Sequence, residues 1–116
     1  PQGKEVNMMA TAWKSSASVE VSQETGTLIL RLHGELDMAS RDVIEPAVLA
    51  AIPSAYAVVL DLRDLTFCDS TGIAMFLAAH EKAKAAGTTL TLDNIQPSVA
   101  RVLRICGVDT VLHITA

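Results

Sequence analysis

The chain opens on about seventeen residues with no hydrophobic period, then changes character. SVEVS at 18–22 alternates apolar and polar positions, the pattern of a half-buried strand. TLILRLHG follows at 27–34, with Leu28, Leu30 and Leu32 on one face, and the intervening QETG makes the two runs a hairpin turning at Gly26. MASRDVIEPAVLAAI places Val43, Ile44, Ala47, Val48 and Ala51 on one helical face, with Ser40 as the expected N-cap. Pro46 conflicts with an unbroken helix, since it removes a donor and crowds the preceding turn. A kink and a late helix start both answer that conflict, and the pattern does not choose.

AVVLDL at 57–62 is a continuous apolar run, the mark of a strand covered on both faces or central in its sheet. From Ser70 the period becomes helical through Ile73, Phe76, Leu77, His80 and Ala83, and Gly87 supplies a stop. TLTLDN is an alternating strand. PSVARVLRIC is a helix with Pro97 at its first position and Gly107 beyond its end. VLHI closes as a short strand. The order β-β-α-β-α-β-α-β predicts a single α/β domain over 18–116 with a largely parallel sheet. Residues 1–17 read as a mobile tail, with Trp13 a candidate to cover a sheet edge. Pro1 is no translation start, and PQGKEVN can be read as a tag remnant ahead of Met8 or Met9.

Composition narrows the functions. The 116 residues are half hydrophobic but hold only one Trp, one Tyr and two Phe, so the core is aliphatic and stacking platforms for single-stranded nucleic acid are scarce. A formal charge of −4 disfavours nucleic acid and anionic membranes as partners. No apolar run approaches the ~20 residues of a spanning helix, and no signal peptide opens the chain. Cys68 and Cys106 form no CxxC and suit reduced thiols, so the expectation is a cytoplasmic protein. His33, His80 and His113 fall on different elements with no paired spacing, and neither a metal nor a cofactor is expected.

The chemistry concentrates in FCDSTGI at 67–73. A serine-hydrolase elbow needs GxSxG, and Ser70 lacks it. A P-loop needs a lysine after its second glycine, and none follows Gly72. Asp61 is not a receiver-type phosphoacceptor, because the first strands end without an acidic pair and no lysine follows Lys84. Cys68 near a helix start reads as a buried small side chain rather than an activated thiol. The local chemistry supports a cap: Asp69 or Ser70 starts the helix, and Gly72 admits a tight approach. A helix N-terminus also tolerates phosphate on an exposed hydroxyl.

Four segments in register carry a family resemblance: GELD at 34–37, VVLDLRDLTF at 58–67, DSTG at 69–72 and VARVLRICGV at 99–108. Together they resemble STAS domains, and within that group the bacterial anti-sigma factor antagonists. The resemblance implies a mixed β-sheet with helices packed mainly on one face. It implies that Ser70 is a phosphoacceptor, preferred over Thr71, and that Asp37, Ser40, Asp69, Thr71 and Gly72 form the partner-binding region. The implied partners are an anti-sigma factor that is also a GHKL-type serine kinase, and a PP2C-type phosphatase; the protein itself would be a non-enzymatic, monomeric binding module. An alternative within the same family is a non-switching scaffold of a stressosome-like assembly. The sequence departs from many relatives at Ala74, where a second glycine is common, and at Cys68, where a larger apolar residue is usual.

Overall fold

A computed structural model describes residues 8–11 and 17–115. Strand β1 is Met8–Thr11, β2 Ser18–Glu24, β3 Thr27–Leu36, β4 Ala57–Cys68 and β5 Thr89–Asp93. Helix α1 spans Met38–Ala51, α2 Ser70–Ala86 and α3 Pro97–Ile105, with a 3-10 turn at Ile52–Ser54. The strands form one sheet in the order β1-β2-β3-β4-β5. The first two pairings are antiparallel and the last two parallel, so the sheet is mixed rather than largely parallel.

The hairpin forms where the pattern placed it. Thr25 and Gly26 both have positive φ (41° and 82°), the conformation of a two-residue turn whose twist matches its strands. Leu30 and Leu32 of β3, Val58 and Leu60 of β4, and Leu90 and Leu92 of β5 share the face on which the helices mainly pack, all 5 % exposed or less. Ile44 and Val48 of α1, Met75, Phe76 and Ala79 of α2, and Val99 and Leu103 of α3 close over them. Each buried Leu, Ile or Phe contributes about 1.5–3 kcal/mol, so an aliphatic core suffices. The other sheet face carries a polar cluster: Arg31 Nε donates to Asp64 Oδ2 at 2.8 Å, and the His33 ring lies between Asp64 and Glu20.

Several expectations need correction. The stretch read as a mobile tail contributes β1, paired to β2 through Met8↔Val21 and Thr11↔Ser18; Trp13 lies outside the described residues. Only four residues long and flanked by no second apolar run, β1 is too short to register as a strand by alternation. The final VLHI does not build a strand. It makes one parallel bridge, Leu92↔Ile114, held by Leu92 N–H to His113 O and Thr115 N–H to Leu92 O, both 2.9 Å. Helix α1 runs through Pro46 without interruption. Pro46 and Asp42, whose carbonyl loses its partner there, occupy exposed positions where water can take the bond.

Candidate functional site at the ends of β3 and β4

Strands β3 and β4 run parallel and end together, Leu36 paired with Cys68. Two register shifts, between Arg31 and His33 and between Gly34 and Glu35, let the longer β4 finish level with β3. Each strand is followed at once by an aspartate and a helix. Both α1 and α2 therefore present their N-termini at the same edge of the sheet, where helix dipoles add positive potential.

The caps are aspartates. Asp69 Oδ1 accepts from Thr71 N at 2.9 Å and from Gly72 N at 3.3 Å, satisfying two of the orphan donors at the start of α2. Asp37 Oδ1 accepts from Ser40 N at 3.0 Å while Ser40 Oγ accepts from Asp37 N at 3.0 Å, a capping box. The N-cap of α1 is thus Asp37; Ser40, expected in that role, is the reciprocal partner three residues on. A serine can serve at either end of such a box, so the pattern alone did not separate them. The two capped loops are tied together by Asp69 N–H to Leu36 O at 3.3 Å.

Of the six residues singled out, Ser70 alone is classed as exposed. It is the first residue of α2, and its hydroxyl takes no hydrogen bond among the described residues. Asp37, Asp69 and Thr71 are half-buried. Ser40 and Gly72 are buried and leave no side-chain surface for a partner, so both act from beneath. Ser40 Oγ also donates to Glu35 O at 2.7 Å, fixing the strand end that carries Asp37. At Gly72 an added Cβ would lie 2.5 Å from Cys68 Sγ and 2.9 Å from Leu36 Cγ. Only a glycine lets α2 approach the paired strand ends this closely, and that approach sets where Ser70 stands.

Cys68 is 3 % exposed, and burial, with the Asp69 charge second, pushes its thiol up to about 12. It is packing, as the sequence indicated. Asp61 lies well back on β4 at 7 % exposure, held by Asn94 Nδ2 and the Arg63 backbone, both 3.1 Å away. Its partners are structural, and it has no place at the strand ends.

Two residues escaped the sequence reading. Met38 is 76 % exposed as the first residue of α1, the position that Ser70 holds on α2. Phe67, 46 % exposed, stands two residues before Asp69 and pairs with Glu35. Aligning LDM at 36–38 with CDS at 68–70 would have given Met38 the helix-start position that Ser70 holds; nothing in the apolar run of β4 marked Phe67 as turned outward. The edge thus combines a free hydroxyl, half-buried carboxylates and exposed apolar side chains, the mixed character of a protein-binding surface. Among the described residues no three His, Cys, Asp or Glu side chains gather as a metal site.

The family profile described as "Mlab, STAS domain" matches residues 19–114, from the second residue of β2 through every later element. The chain belongs to the STAS-domain anti-sigma factor antagonist family. It is 30 % identical over 98 residues to the anti-sigma F factor antagonist of Paenibacillus polymyxa, covering 83 % of this chain and 84 % of that one. It is 25 % identical over 99 residues to the anti-sigma-B factor antagonist of Bacillus subtilis (strain 168), covering 85 % and 91 %. An anti-sigma factor antagonist from Mycobacterium paratuberculosis superposes with a TM-score of 0.79 at 25 % identity, over 85 % of each chain. The STAS fold accounts for the mixed sheet.

Proposed function

We propose that the protein is an anti-sigma factor antagonist, a binding module whose docking surface is the edge where β3 and β4 end. Its partner is an anti-sigma factor of the GHKL-type serine kinase class, and Ser70 is the phosphoacceptor. Asp37, Asp69 and Thr71 line the surface, Ser40 and Gly72 hold it from below, and Met38 and Phe67 add apolar contact. A PP2C-type phosphatase reverses the modification. A partner that sequesters a sigma factor places the protein in the cytoplasm.

The observation that carries this reading is Ser70 itself: exposed, without a hydrogen bond among the described residues, on a helix start fixed by the Asp69 cap and the Gly72 contact. Phosphate there adds about −1.5 to −2 charges. The fold accommodates it at an exposed helix N-terminus, but a docked partner does not. Leaving a charge unpaired in an interface costs about 3–5 kcal/mol, or roughly two to four decades of affinity. The bare protein binds and the phosphorylated one is released.

The test is incubation of the full chain with ATP and the anti-sigma kinase of its source bacterium, followed by phosphopeptide mapping and binding measurements. A single phosphate on Ser70, absent from Ser70→Ala, is expected. Ser70→Ala should bind as the unmodified protein does and Ser70→Asp should bind at least a hundredfold more weakly. Equal affinity of the two variants for the kinase would refute the switch.

A further inference from the structure

Away from the α1 and α2 N-termini, a cavity of about 400 Å³ opens between the second half of α2, the start of β5 and the terminal segment. Its volume is within the range of small-molecule sites. Its ionisable lining is wholly basic. His80 and Lys84 project from α2 one turn apart, and His113 comes from the terminal segment, with its ring centre 5.9 Å from that of His80 and the planes 41° apart. Among the described residues no carboxylate lines the cavity. Lys84 forms no ion pair among the described residues, whereas Arg31, Arg41 and Arg63 each have one. In a chain of net charge −4, counted with histidines neutral, the one charged side chain among the described residues lining this cavity is the positive Lys84.

The rest of the lining divides into donors and an apolar wall. Thr88 Oγ1 is already engaged, donating to Ile52 O at 2.8 Å, but the neighbouring Thr89 hydroxyl is exposed and unpaired among the described residues. Ala83, Leu90 and Val111 supply hydrocarbon, and Val111 is 46 % exposed at the rim. The backbone that carries His113 is tied to β5, since its carbonyl accepts from Leu92 N at 2.9 Å.

We propose that this cavity binds a small organic oxyanion, a carboxylate or phosphate monoester carrying an aromatic or aliphatic body. Lys84 supplies the fixed charge. The two imidazoles donate N–H bonds in either protonation state, Thr89 adds a hydroxyl, and the body of the ligand rests on Leu90 and Val111. The Lys84 ammonium opposes a metal cation at the histidine pair. The titratable groups facing the ligand are His80 and Lys84 from α2 and His113 from the terminal segment; the β5 side contributes only Thr88, Thr89 and Leu90.

The experiment titrates the full chain with phenyl phosphate, benzoate and inorganic phosphate, following the amide and histidine ring resonances. Saturable shifts are expected on His80, Lys84, Thr89 and His113, with phenyl phosphate or benzoate binding more tightly than inorganic phosphate. Lys84→Gln and His113→Gln, both at exposed positions, should each weaken binding about tenfold, the loss of one charged hydrogen bond, while leaving the Ser70 amide unmoved. Absence of saturable shifts overturns the proposal, as do equal affinities in both variants. Ring shifts with Zn²⁺ but not with the anions would assign the histidine pair to a metal instead and overturn it equally.

Discussion

Asp37 and Asp69 stand one residue beyond the paired Leu36 and Cys68, and each caps the helix that follows its strand. The two caps differ in chemistry. Asp37 is locked in a reciprocal box with Ser40, while Asp69 spends its carboxylate on the Thr71 and Gly72 amides and leaves the next hydroxyl, Ser70, unengaged. The same backbone motif is therefore closed on α1 and open on α2, and the open one carries the candidate phosphoacceptor.

Removing the Asp69 cap separates its two contributions. Asp69→Ala should cost about 0.5–2 kcal/mol of stability in urea denaturation, because two amides at the start of α2 lose their acceptor. Asp69→Asn keeps the cap and should stay near wild type. If Asn fails as badly as Ala, the charge rather than the hydrogen bonding of Asp69 sustains the helix start.

Gly72 is tested by filling its space. Gly72→Ala places a methyl 2.5 Å from Cys68 Sγ and 2.9 Å from Leu36 Cγ, and overpacking of this kind costs about 1–3 kcal/mol. Neither neighbour can yield easily, since both side chains are buried at paired strand ends. Adding Cys68→Ala removes one of the two obstructions. The double variant should be more stable than the sum of the single effects, and strict additivity in the cycle would show that the predicted clash is relieved elsewhere.

These cases show what the sequence could and could not carry. The strands and helices from Ser18 to Ile105 follow from periodicity, because one-sided burial imposes a spacing on each of them. The position of Ser70 at a helix start was legible for the same reason: the period changes there. The lateral pairing of Leu36 with Cys68 was not, because parallel neighbours are set by tertiary packing and by β-bulges that leave no local mark. The exposure of Phe67 was hidden for that reason too. So was the meeting of His80 and His113, thirty-three positions apart in the chain.

The two cysteines should separate cleanly by reactivity. Cys68 is buried with its thiol pushed up to about 12, whereas Cys106 is exposed. Thiolate is the reactive form, so at pH 8 only about one Cys68 in ten thousand would be ionised even if reagent could reach it. A disulfide reagent such as Ellman's should titrate one thiol per native chain and two after denaturation. Two fast-reacting thiols in the native protein would contradict the burial of Cys68.

Asp61 gives a pH signature. Burial alone would raise its carboxyl, but hydrogen bonds from Asn94, the Arg63 backbone and the Arg63 guanidinium outweigh that and hold it below the ordinary carboxylate range. The folded protein thus binds fewer protons at this site than the unfolded chain does. Its contribution to stability is full above the unfolded value of about 3.9 and declines as pH falls through the lower folded value. Denaturation series from pH 6 to pH 3 should show a shallower acid loss for Asp61→Asn than for the parent. Parallel curves would mean that other carboxylates dominate the acid limb.

Phosphorylation of Ser70 should leave the fold intact, which separates a binding switch from a folding switch. Ser70 is exposed at the first position of α2, and a negative charge there gains about 0.3–1 kcal/mol from the helix dipole while meeting repulsion from Asp69. Because the two effects oppose, Ser70→Asp should change unfolding free energy by no more than about 0.5 kcal/mol, the usual range for a surface substitution. Urea denaturation of Ser70→Asp beside Ser70→Ala measures this directly. A loss of 2 kcal/mol or more would mean that the charge disrupts the capped start of α2, and weaker partner binding by that variant would then report unfolding of the site rather than exclusion of the partner.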